Sequence, residues 1–300
     1  MYLSTLTIGY AVPTTDFDAT VHSVFQSAAN LGLAKGGKLL TLVAPNEADL
    51  PQGIRLETPA DFSFVGIQVG EHVTCRTGLL RLKSLLLTID LHQARLWKCD
   101  LPALKTELTD PAVESAWKAV WQALNRRQSI AEAEIFADDL LGSGRIPHMS
   151  VPQKAAEAMQ ALLQSTRKFD LTAASAAREL IGLGSGLTPA GDDLLAGYLA
   201  GLWCLTDGKP ERREFVSGLG RKIVRLSRRT NDISRTYLYH AARGQVSSRL
   251  AALAEAISRG ESGELLLAVA ENAMRVGHTS GMDAVTGLLL GMVAWSEPIF

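Results

Sequence analysis

Cysteine is scarce in this chain: three in 300 residues, Cys75, Cys99 and Cys204, widely spaced and without a C-x-x-C pair. An odd number at such spacing excludes a disulfide framework and a zinc site, and reads as reduced, buried thiols. An excess of charge of one sign is also missing. The 30 Lys and Arg against 31 Asp and Glu leave a formal net charge of −1, so no long-range field draws the protein to nucleic acid or to an anionic membrane surface. No uninterrupted apolar run reaches membrane-spanning length; residues 288–295 are strongly apolar but far too few. The first residues, Met1-Tyr2-Leu3-Ser4-Thr5-Leu6, have neither the basic nor the apolar region of a secretory signal. The expectation is a cytoplasmic protein that binds neither nucleic acid nor membrane.

What is present is an ordinary globular composition, 47% hydrophobic and 20% charged, with enough chain for one large core or two modest ones. Up to about residue 105 it reads as short strands. Residues 39–43, 64–69 and 85–89 are β-rich runs, bounded by turn residues at Lys35-Gly36-Gly37-Lys38, Ala44-Pro45-Asn46, Gly70-Glu71 and Asp90. Many short strands at close spacing predict a small antiparallel barrel or sandwich. The period then changes. Asp110 is placed to cap a helix with Pro111 in its first position, and Val113, Trp117, Val120, Trp121 and Leu124 follow at helical spacing. Residues 138–148 read as a polar, glycine-rich bridge, Ser150 as the cap of the next helix and Asp170 as the cap of another. Helical patterns continue through 190–206, 211–228, 232–243, 246–259, 262–275 and 282–295. The fold class is therefore α+β: a β-rich domain, 1–105, followed by an all-α domain, 106–300.

The most informative stretch is Gly182-Leu183-Gly184-Ser185-Gly186-Leu187-Thr188-Pro189-Ala190-Gly191-Asp192-Asp193. Alternating glycines are costly inside a helix, about 1 kcal/mol each relative to alanine, and cheap where backbone turns left-handed or approaches a ligand. Thr188-Pro189 reads as a helix restart, with threonine as N-cap and proline next. A helix N-terminus preceded by glycines presents unpaired N–H groups and the positive end of the dipole, which together suit an anion. The bland alternative is a helix–loop–helix connection that needs glycines only for packing. A second loop, Gly277-His278-Thr279-Ser280-Gly281-Met282-Asp283, repeats the arrangement. Gly186, Thr188, Gly191, Asp193 and Gly197 align with Gly277, Thr279, Gly281, Asp283 and Gly287, with one residue of difference in spacing. Two similar loop–helix units facing one site are expected. A third polar cluster, Ser227-Arg228-Arg229-Thr230-Asn231-Asp232, joins two helices; Arg228 and Arg229 carry planar donors suited to carboxylate or phosphate, or simply match the C-terminal dipole of the helix before them.

These residues resemble the AllH-type subunit family of oxamate carbamoyltransferase. The resemblance rests on residues 182–197, 228–234 and 277–291, supported by Val21-His22-Ser23-Val24-Phe25 through Asn30-Leu31. It implies partner subunits encoded nearby, in gene clusters for anaerobic allantoin and related purine breakdown, and phosphorolysis of oxalurate to oxamate and carbamoyl phosphate. It implies no residue roles, so these are read from chemistry. Gly184, Ser185, Gly186, Thr188, Arg228, Arg229, Asn231, Thr279, Ser280 and Gly281 are the expected anion contacts. His278, titratable near neutrality, and Asp193 and Asp192, about 100° apart on a helix, are the expected proton carriers. Two adjacent carboxylates without further clear ligands make a weak case for Mg²⁺, and the sequence requires no cofactor. The expected partners are a small anion (oxalurate, phosphate or carbamoyl phosphate) and other subunits, with self-association left open. Two rival readings stand beside this one: a non-catalytic assembly subunit, and a small-molecule kinase, because Gly182-Leu183-Gly184-Ser185-Gly186 is similar to the phosphate loop of sugar and mevalonate-type kinases. The kinase reading is the weaker, since that superfamily is α+β around its nucleotide.

Overall fold

The computed structural model describes residues 1–34, 38–104, 108–131, 133, 135–140 and 151–296. The turn expected at 35–38, the cap at Ser150 and most of the bridge after residue 140 lie outside or largely outside these residues. The chain divides into two units, Met1–Cys99 and Asp100–Phe300.

Alternation builds the first unit. In β1 (Tyr2–Gly9) every second residue from Leu3 onward is buried, the period-two pattern of a strand with one inward face. The strands β2 (Phe17–Val24), β3 (Ala28–Leu33), β4 (Leu39–Val43), β5 (Gly53–Glu57), β6 (His72–Arg76), β7 (Leu79–Leu82), β8 (Leu87–Asp90) and β9 (Arg95–Trp97) complete one sheet. Its order, β5-β4-β3-β2-β6-β7-β8-β1, closes on itself because β1 also pairs with β5. The result is a barrel formed by β1 to β8, with β9 added alongside the end of β1. Most neighbours are antiparallel; β1 runs parallel to β8 and β9, and β4 parallel to β5. The interior is filled by side chains such as Leu31, Leu42, Ile54, Leu56, Val73, Leu80 and Ile89, all essentially buried. Closure removes the open edges that a flat sheet would expose. Thr77 and Gly78, both at positive φ, make the two-residue connection of the β6–β7 hairpin, whose twist suits the strands.

Two of the expected strands are corrected. Residues 64–69 hold a 3-10 turn, Phe64–Gly66, capped by the Ser63 side chain, which accepts a hydrogen bond from the Val65 N–H. Phe64 is buried but Val65 and Val69 are largely exposed, so this apolar run has no inward face at period two. Residues 85–89 supply a strand only from Leu87; Leu86, at φ 45°, belongs to the preceding turn.

The second unit is helical, with no strand among its described residues. Its helices are α1 (Pro111–Ala131), α2 (Ala137–Leu140), α3 (Val151–Arg167), α4 (Ala173–Leu180), α5 (Ala190–Cys204), α6 (Pro210–Leu226), α7 (Asp232–Ala241), α8 (Ser248–Ser258), α9 (Gly263–Met274) and α10 (Ser280–Met292). Asp110 caps α1, its carboxylate accepting the Ala112 N–H at 2.8 Å. The buried face of α1 is Val113, Trp117, Val120, Trp121 and Leu124. Trp117 stacks on Trp121 and donates its ring N–H to the Leu289 carbonyl at 3.0 Å, tying α1 to α10. Among the described residues no helix is long and apolar enough to cross a membrane.

Helices α5 and α10 are buried on almost all sides, as the centre of a bundle must be. Glycine lets them touch. A Cβ at Gly197 would lie 1.9 Å from the Ala284 carbonyl oxygen, and one at Gly287 would lie 2.0 Å from that of Leu194. Gly201 and Gly291 repeat the exchange one turn further on, at 2.4 Å from the carbonyl oxygens of Leu288 and Tyr198. The contact is reciprocal: each helix offers the same positions to the other, so the two N-termini finish side by side.

Candidate functional site

Between α4 and α5 the chain turns through Gly182, Gly184 and Gly186, at φ 76°, 101° and 94°. These are left-handed conformations that favour glycine. The helix start differs by one residue from expectation. Pro189 is the N-cap, at φ −51° and ψ 139°, and its carbonyl accepts the N–H groups of Asp192 and Asp193 at 2.9 and 3.3 Å. Proline's fixed φ suits this extended cap as well as a first helical position, which frees Thr188 for another use. The Thr188 hydroxyl meets that of Ser280, at the start of α10, at 2.7 Å. The two glycine loops thus converge through their side chains at the paired helix N-termini.

Beneath this contact are the aspartates. The Asp192 carboxylate accepts the Gly182 N–H at 3.0 Å and the Thr230 hydroxyl at 2.5 Å. It staples the glycine loop to the cluster that precedes α7. Burial pushes its carboxyl up from the usual range, against the pull of the bonds from Thr230, Gly182 and Ser234. Asp193 points elsewhere. Its carboxyl takes hydrogen bonds from Thr188 and Ser280, and it is raised well above the usual range, first by burial and also by the charges of Asp283 and Asp192. Asp283, 2% exposed, occupies the corresponding place on α10. The sequence marks it as the counterpart of Asp193 in the second loop–helix unit, without singling it out as a proton carrier.

The other expected residues divide into two groups. Gly184 and Thr188 are half-buried, and Ser185, Gly186 and His278 are exposed around the junction; a Cβ at Gly186 would meet nothing within 4 Å. Thr279 is the N-cap of α10 without a side-chain capping bond. Arg228 and Arg229 are exposed on a 3-10 turn, Ser227–Arg229, whose backbone approaches the first loop: a Cβ at Gly182 would lie 3.5 Å from the Arg229 carbonyl oxygen. Asn231 caps α7, accepting the Ser234 N–H at 3.0 Å and donating to the Leu187 carbonyl at 2.9 Å. Gly281 is the exception. It is buried against the end of α9, where a Cβ would lie 2.5 Å from the Ala273 carbonyl oxygen, and its N–H is bonded to the Val276 carbonyl. It packs helices and has no donor to offer a ligand. Gly191, whose Cβ would lie 2.0 Å from the Leu180 carbonyl oxygen, is its counterpart on α5. Among the described residues no three His, Cys, Asp or Glu side chains converge as a metal-binding group.

A helical unit with paired glycine loops over buried carboxyls, joined to a closed β-barrel, describes a class that family comparison identifies. Residues 180–292 match the family described as oxamate carbamoyltransferase subunit AllH, and residues 5–96 match the AllH family N-terminal domain. The chain belongs to this family. The match to the helical unit opens at the first glycine loop and closes at the end of α10, so it spans both loop–helix units. No solved structure matches the chain.

Proposed function

We propose that this chain acts within an oxamate carbamoyltransferase as the subunit whose paired loops, at 182–188 and 277–280, hold a small anionic substrate. The reaction is phosphorolysis of oxalurate: a phosphate oxygen attacks the carbamoyl carbon, the carbon–nitrogen bond breaks, and oxamate leaves carbamoyl phosphate behind. Every participant is anionic, and attack on the carbonyl develops further negative charge on its oxygen. Backbone N–H groups aimed at such charge stabilise the transition state, and losing one donor lowers rates by roughly 10² to 10³.

The observation that carries this reading is the convergence of two glycine-preceded helix N-termini at the Thr188–Ser280 contact. Two dipole ends aimed at one place favour an anion more than either alone. Arg228 and Arg229, exposed on the turn beside the first loop, complete the positive side. Burial disfavours charge on the Asp192 and Asp193 carboxyls, which weakens the repulsion an anion above them would meet.

The reading of a supporting, non-catalytic subunit draws on the glycines used for packing, at 191, 197, 201, 281, 287 and 291. Gly186 speaks against it, because its left-handed turn stands in open space and serves no packing. Co-expression with the genes for the partner subunits, followed by an assay of carbamoyl phosphate formed from oxalurate and phosphate, tests the proposal. Turnover should require this chain. Full turnover by the partners alone would refute it.

A further inference from the structure

The inference rests on the reaction just proposed, whose proton balance is informative. Hydrogen phosphate gives up a proton as its oxygen joins the carbamoyl carbon. The departing amide nitrogen of oxamate takes one as its bond to that carbon breaks. No proton is gained or lost overall, so a group able to accept and donate in the same cycle serves both ends.

The carboxyls of Asp193 and Asp283 sit at corresponding positions of α5 and α10, 9% and 2% exposed. The helices are locked together one turn below, at Gly197 and Gly287. Among the described residues no donor reaches Oδ2 of Asp193, although that oxygen is buried, where an unmet acceptor is costly. The Asp283 charge acts on it. Two neighbouring buried carboxylates do not both ionise; they keep one proton. The helix N-termini above them stabilise a single negative charge and oppose a divalent cation. Thr188 and Ser280 hydrogen-bond to Asp193 and to each other, and a hydroxyl both donates and accepts.

We propose that Asp193 and Asp283 hold one proton between them as a single acid–base unit, and that the Thr188 and Ser280 hydroxyls relay it to and from the substrate. One hydroxyl passes the proton of hydrogen phosphate to the carboxylate of the pair. The other delivers the carboxyl proton to the leaving nitrogen, and the pair ends as it began. The aspartates act through the hydroxyls and are positioning residues. The titratable groups whose charge acts on Asp193 are Asp283 on α10 and Asp192 on its own helix.

The test is thermal unfolding of the full chain from pH 5 to 8.5, for wild type, Asp193→Asn and Asp283→Asn, with phosphorolysis by the assembled complexes. Asparagine mimics the protonated acid. A carboxyl raised in the folded state contributes stability that is present below its unfolded pKa, about 4, and lost as pH rises through the folded value. Wild type should therefore lose roughly 2–4 °C of Tm per pH unit relative to either variant in that window. Both variants should melt at or above wild type at pH 8, while their complexes lose about 10²-fold or more in rate. Variants that keep the wild-type pH slope, or melt well below it at pH 8, overturn the shared proton. A rise in wild-type Tm with Mg²⁺ that the variants lack overturns it in favour of a cation site. Full rates in the variant complexes overturn the relay. If the melting result holds while the wild-type complex does not turn over oxalurate, the proposed reaction fails and the carboxyl pair stands.

Discussion

Asp192 and Asp193 are neighbours in the chain with different partners. Asp192 holds the Gly182 N–H and the Thr230 hydroxyl, so its removal takes the acceptor from two part-buried hydrogen bonds. Asp192→Ala is expected to lower stability by about 1–3 kcal/mol and to open the loop at 182–188 to protease. Denaturant unfolding and limited proteolysis read both; unchanged stability would show that the staple carries no energy. Thr188→Val is the complementary change, keeping shape and removing the hydroxyl that joins the loops. The folded protein should persist while phosphorolysis by the complex falls roughly 10²-fold, and an unchanged rate would remove Thr188 from the site. The identity of these residues was readable from sequence. Their division of labour was not, because which side of α5 meets α7 and which meets α10 is decided by the packing of the bundle.

At the scale of helices and strands, the glycines fall into two kinds that look alike in sequence. Gly197 and Gly287 allow α5 and α10 to touch, whereas Gly186 turns left-handed in open space. Gly197→Ala or Gly287→Ala drives a methyl into backbone, where overpacking costs on the order of 3 kcal/mol or more, and should unfold or loosen the bundle. Gly186→Ala meets only the strain of positive φ, about 1–3 kcal/mol, and should leave the fold intact. Circular dichroism with urea titration separates the two; equal losses would contradict the contrast. Local pattern foretold much of the helical order: Asp110, Pro111 and the buried face of α1 lie where period and capping chemistry put them. It failed at 64–69, where strand-forming residues are overruled by the Ser63 cap and by Gly70 at positive φ. It failed at Gly281 as well, because a close approach by the end of α9 leaves no mark within its own loop.

Across the whole molecule, short strands followed by period-3.6 helices announced an α+β chain, and the glycine motifs announced its family. Barrel closure was less accessible. It depends on β1 pairing with β5 on one edge and with β8 and β9 on the other, contacts between distant segments that no local period records. The central claim is that the paired loops hold the anion on which the carbamoyl transfer acts. Gly186→Val addresses it most directly, because a β-branched side chain at φ 94° fills the space over the loop and resists its turn, yet touches no core. The variant should fold, assemble with the partner subunits and lose at least about 10²-fold in carbamoyl phosphate formation. A folded, assembled variant that forms carbamoyl phosphate at the wild-type rate would contradict the account.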